Sequence, residues 1–195
     1  MRLLHEILDH NRTFVENQEY KPYQTTKFPD KKLVILSCMD TRLTELLPKA
    51  MNVRNGDTKI IKNAGAVVSH PFGSIMRSLI VAVYELGAEE VCVVGHHGCG
   101  MAGIQPEETL RKMVERGISE TTLDTLERAG VNLTEWLQGF HSVEESVKAS
   151  AEMIRKHPLL PANLPVHGLV IDPSTGKLDL VTEGYGSQEE PKVTT

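Results

Sequence analysis

Two short segments concentrate the side chains that bind metals or attack electrophilic carbon. One reads Ser37-Cys38-Met39-Asp40-Thr41-Arg42 and the other Gly95-His96-His97-Gly98-Cys99-Gly100. Each follows an apolar run, at 33–36 and 91–94, so each leaves the end of a buried strand. Thiolate and imidazole are donors that zinc favours, and His96-x-x-Cys99 has close ligand spacing while Cys38 comes from a second strand end. Two cysteines and one histidine leave a fourth tetrahedral corner free, as catalytic zinc sites do. No second Cys or His pair stands by to close it. Asp40 lies two residues from Cys38 and two from Arg42, which gives its carboxylate two resting places. On the metal it is a conditional fourth ligand and shuts the site. Paired with Arg42 it leaves the corner to water.

Two other readings of these segments are weaker. Gly98-Cys99-Gly100-Met101-Ala102-Gly103 fits G-x-G-x-x-G after a strand, but a dinucleotide site also needs a second strand ending in an acid about 20 residues on. Residues 107–120 are a charged helical stretch instead. Cys38 as a phosphate-cradling nucleophile would want glycines after it, and Asp40 would repel an anion there. Cys92, inside the apolar run at 91–94, reads as a small core residue. His97 is expected beside the site rather than on the metal, and His70 in a cap region.

Cys-x-Asp-x-Arg followed by His-x-x-Cys-Gly, 58 residues from the first cysteine to the histidine, resembles the signature of the β-class carbonic anhydrases. The likeness runs on through Lys62-Asn63-Ala64-Gly65 and the helical stretch at 74–86, strongly over 32–100 and more loosely at the C-terminal hairpin. That resemblance implies a zinc lyase, a carbonate dehydratase interconverting CO2 and bicarbonate by attack of zinc-bound hydroxide. On it Cys38, His96 and Cys99 hold Zn2+, Asp40 orients the nucleophile, and Arg42 keeps Asp40 off the metal. It also implies a homodimer or larger homo-oligomer around a mostly parallel sheet. Two positions depart from the family's habit: Lys62 stands where arginine is common, and Gly98 where a polar residue is common. Neither change removes a ligand. The rival readings are a carbonyl sulfide or carbon disulfide hydrolase on the same scaffold, and a zinc-binding protein without turnover.

The elements that must position these residues follow from periodicity. Short apolar runs at 33–36, 58–62 and 91–94 alternate with helical patterns, which predicts an α/β fold with a central, mainly parallel sheet flanked by helices. The helices are expected at 2–18, at 71–86 with Pro71 in the first turn, from Pro106 to Gly117, and in pieces over 119–139 broken near Gly130. Ser142-Val143-Glu144-Glu145 reads as a capping box opening a further helix to about His157. Runs at 166–172 and 178–182 flank Pro173-Ser174-Thr175-Gly176 as a hairpin. Residues 1–30 are expected to form an N-terminal helical arm whose apolar stripe docks on a partner subunit or packs on its own domain, and 185–195 a frayed tail.

The chain of 195 residues is expected to form a single domain over 1–195. A net charge of −5 without a basic cluster argues against nucleic acid, and the longest apolar run, 78–84, is too short for a membrane span. Charges interrupt the first ten residues too often for a secretory leader, and the cysteine number, three, is odd. A cytoplasmic address with free thiols is the expectation.

Overall fold

The apolar run at 33–36 extends into a strand, β1 (Leu33–Cys38), that sits inside a five-stranded sheet. The computed structural model describes residues 2–185, so nearly all of the expected frayed tail lies outside the described residues. The other strands are β2 (Thr58–Asn63), β3 (Glu90–His96), β4 (Val166–Ile171) and β5 (Leu178–Thr182), in the order β2-β1-β3-β4-β5. The first four run parallel, and β5 returns antiparallel to β4 as the expected hairpin. Seven helices accompany them among the described residues: α1 (Leu3–Glu16), α2 (Leu43–Ala50), α3 (Ser74–Tyr84), α4 (Pro106–Glu115), α5 (Glu120–Arg128), α6 (Leu133–Leu137) and α7 (Val143–Arg155).

Successive strand residues point to opposite faces, so a strand apolar on both faces must be covered on both. Val34, Leu36, Val91, Val93, Val166 and Val170 join one core, closed by Met76, Leu79 and Ala82 of α3 and Val147, Ala151 and Ile154 of α7. Ile35, Cys92, Val94 and Ile171 join the other, closed by Leu43 and Leu47 of α2. Gly95 lets β3 meet α7 closely, since a Cβ there would come within 2.7 Å of both Val143 and Val147 methyls.

Three local outcomes differ from the periodicity. No element was assigned to residues 43–50, yet α2 forms there; Pro48 sits at the sixth of its eight positions, and Leu43 and Leu47 bury one stripe. α3 starts at Ser74 and not at Pro71. Pro71 instead lies in a turn, where its carbonyl accepts from His157 Nε2 at 2.9 Å and Gly73 N–H donates to the His70 carbonyl at 3.1 Å. At α7 the Ser142 hydroxyl oxygen caps Glu145 N–H at 3.2 Å, but it donates to Glu144 at 2.8 Å, so Glu145 does not complete the box. α1 buries none of its residues. Among the described residues no helix is long and apolar enough to cross a membrane.

Candidate metal centre

β1 and β3 are adjacent parallel strands, and the donors lie at their C-terminal ends, where open α/β sheets place ligands. Cys38 is the last residue of β1 and His96 the last of β3. The chain then turns through Gly98, at φ +62°, and brings Cys99 back beside them. All three are buried, and their donor atoms lie within 4.8 Å of one another. Cys38 Sγ and Cys99 Sγ are 3.9 Å apart. Two sulfurs each about 2.3 Å from a shared centre, at a tetrahedral angle, lie about 3.8 Å apart.

Backbone groups orient the donors. His96 Nδ1 lies 2.9 Å from the His97 carbonyl, so that nitrogen carries the proton and Nε2 keeps its lone pair. Nε2 is buried and has no hydrogen-bond partner. Leaving such an atom unpaired costs about 1–3 kcal/mol, which a bound cation would offset. Gly65 N–H donates to Cys38 Sγ at 3.3 Å. Asn63 secures that turn, its side chain donating to the Val67 carbonyl at 2.6 Å and accepting from Val67 N–H at 3.2 Å. Burial pushes the Cys99 thiol up, the Met101 backbone N–H works the other way, and neighbouring Cys38 adds to the rise. A cation between the sulfurs would reverse the first and third of these effects. The donor set therefore fits a zinc ion.

Asp40 and Arg42 form a closely made pair. Oδ1 accepts from Arg42 backbone N–H at 2.9 Å and from Nε at 3.0 Å, and Oδ2 accepts from Nη2 at 2.8 Å. Arg42's side-chain hydrogen bonds, then its backbone N–H, hold the Asp40 carboxyl well below the usual carboxylate range. The carboxylate is thus ionised across the neutral range. Oδ2 is 3.7 Å from His96 Nε2, beyond hydrogen-bond length yet next to the donors. A cavity of about 430 Å³ opens here, with apolar walls from Met39, Ala64, Met101 and Ile104.

All five residues singled out from the sequence, Cys38, Asp40, Arg42, His96 and Cys99, therefore meet at one place. His97 contributes its carbonyl to His96 and its N–H to the Ile171 carbonyl at 3.1 Å. His70 caps its own turn, Nδ1 accepting from Phe72 N–H at 3.0 Å. Sequence reasoning missed the pocket walls Met39, Met101 and Ile104. Their nearness to Cys38 and Cys99 in the chain was the available signal.

A mostly parallel α/β sheet with a Cys-His-Cys cluster at its strand ends defines the class of protein, and comparison with known proteins gives the family. A family model described as carbonic anhydrase matches residues 33–178. A Bacillus subtilis (strain 168) protein provisionally named carbonic anhydrase YvdA is 63% identical over 185 residues, 95% of this chain and 94% of its own length. The crystal structure of β-carbonic anhydrase isoform I from Trichomonas vaginalis matches with a TM-score of 0.85 at 33% identity, covering 95% of this chain and 100% of that one. The chain belongs to the β-class carbonic anhydrase family. A more distant relative, the carbon disulfide hydrolase of Acidithiobacillus thiooxidans, is 27% identical over 161 residues, 76% of each chain.

Proposed function

We propose that this chain is a zinc-dependent carbonate dehydratase that interconverts CO2 and bicarbonate. The observation that carries the reading is the meeting of Cys38, His96 and Cys99 beside an Asp40 carboxylate already paired to Arg42. Cys38, His96 and Cys99 would hold Zn2+, which when bound would supply the Lewis acidity that activates water as a nucleophile. Asp40 offers an ionised acceptor oxygen on the pocket side, so it takes a hydrogen bond from the attacking water and aims its lone pair at the substrate carbon. Arg42 holds that carboxylate in place with a two-pronged contact. The apolar cavity walls suit a neutral linear molecule, and Asp40, the charged side chain among the lining residues, would repel an anionic product.

The same apolar walls, together with the carbon disulfide hydrolase among the relatives, favour a second reading: hydrolysis of carbon disulfide or carbonyl sulfide. Stopped-flow assays on zinc-loaded protein with each substrate separate the two. CO2 hydration well above buffer background is expected, falling steeply in Asp40→Asn. Full zinc content with no CO2 hydration would overturn the reading, and turnover of carbon disulfide alone would install the second one.

We also propose one domain over the whole chain, acting as a homodimer or larger homo-oligomer in the cytoplasm. α1 supports assembly, because Leu3, Leu4, Ile7 and Leu8 are each more than half exposed on it. Three free, buried cysteines suit a reducing compartment.

A further inference from the structure

Gly98 does more than turn the chain between the second and third donors. Its φ of +62° lies in the left-handed region that L side chains rarely adopt. In that conformation its carbonyl oxygen accepts from Arg42 Nη2 at 3.1 Å. The same Nη2 donates to Asp40 Oδ2, and Nε donates to Oδ1. Arg42 is thereby held at three points, two on the carboxylate and one on the loop that carries Cys99.

The third point matters because the other two both rest on Asp40, the group that Arg42 has to position, and only the third ties Arg42 to the rest of the fold. The Arg42 side chain is 48% exposed, and an exposed ion pair must repay the rotamer freedom of a long side chain. A backbone carbonyl brings no such freedom to lose. Crowding does not explain the glycine, since a Cβ at position 98 would meet only Arg42 Nη1, at 4.0 Å. What a side chain would disturb is the backbone conformation, and with it the direction of the carbonyl.

We propose that Gly98 is a positioning residue whose left-handed backbone aims a carbonyl that braces Arg42, and that this brace keeps Asp40 on Arg42 and off the metal. The inference rests on the roles given above to Asp40 and Arg42. Without the brace Arg42 moves into solvent and Asp40 is free to turn toward the donors, whose nearest nitrogen is already 3.7 Å from Oδ2.

Gly98→Ala and Gly98→Asn separate backbone conformation from side-chain size, because asparagine tolerates positive φ and alanine resists it. The first readout needs no metal: solvent exchange of the Arg42 Nε–H by NMR on zinc-free protein, with Arg42→Lys assigning the signal. Exchange in Gly98→Ala is expected to be about tenfold faster than in the wild type or more, the worth of one hydrogen bond to a charged group. In Gly98→Asn it should stay within about threefold of the wild type. The second readout is zinc X-ray absorption, which should gain a carboxylate ligand in Gly98→Ala and not in Gly98→Asn. CO2 hydration should follow the same order. Wild-type exchange without protection, an alanine variant that matches the wild type, or alanine and asparagine variants that are equally fast would each overturn the brace. A wild type with a protected Arg42 and full zinc but no CO2 hydration would instead overturn the functional reading and leave the brace standing.

Discussion

Cys92, inside β3, and Cys99, in the loop just beyond its end, are both buried cysteines, yet their surroundings give them different chemistry. Cys99 faces Cys38 and a cavity, whereas Cys92 packs among Ile35 and Val94, and burial followed by the Glu90 charge pushes its thiol up to about 12. A thiol reacts as its thiolate, and about five units above a neutral pH only about one in a hundred thousand is ionised. In native, zinc-free protein near neutral pH, iodoacetamide is therefore expected to label Cys38 and Cys99 while Cys92 labels only after denaturant is added. Mass spectrometry of the peptides reads this directly, and native labelling of Cys92 would contradict its placement. The donors were legible in the sequence because thiols and imidazoles in this spacing are rare and chemically distinct. The groups that orient them were not. Gly65 N–H, the His97 carbonyl and the Gly98 carbonyl are backbone atoms that every residue carries, and only the fold selects them.

At the scale of elements, strands were visible as apolar runs but their ends were not. β1 continues past Leu36 to Cys38 and β3 past Val94 to His96, because pairing to Asn63 and Ile171 goes on after the apolar residues stop. Those polar extensions are what carry two of the three donors. α2 was not read at all, although Leu43, Leu46 and Leu47 keep helical spacing; it has only eight residues, with Pro48 among them. The packing of β3 on α7 makes a testable demand at Gly95. A methyl group there meets two valine methyls at 2.7 Å, so Gly95→Ala should destabilise zinc-free protein by about 1–3 kcal/mol. Gly103→Ala, where a Cβ meets nothing within 4 Å, is the matched control and should change stability little. Denaturant midpoints compare the two. Equal midpoints would show that β3 and α7 are not packed this closely.

For the whole molecule, alternation of apolar strands with amphipathic helices was enough to read an α/β fold. Strand order was not, because every central strand is apolar on both faces and none carries a mark of its neighbour. The N-terminal arm was legible as a helix, and the structure adds that, among the described residues, α1 buries none of its side chains. Sedimentation should therefore find a dimer or larger assembly, and replacing Leu4 and Ile7 together by glutamate should shift it toward monomer. A monomeric wild type would remove the assembly claim and leave the metal centre untouched.

That centre is tested most directly by zinc X-ray absorption on full-length protein purified with ample zinc, beside its Cys99→Ser variant. The account predicts one zinc per chain with two sulfurs at about 2.3 Å and an imidazole nitrogen, and loss of one sulfur or of the metal in the variant. Protein without zinc, or a zinc shell without sulfur, would contradict it.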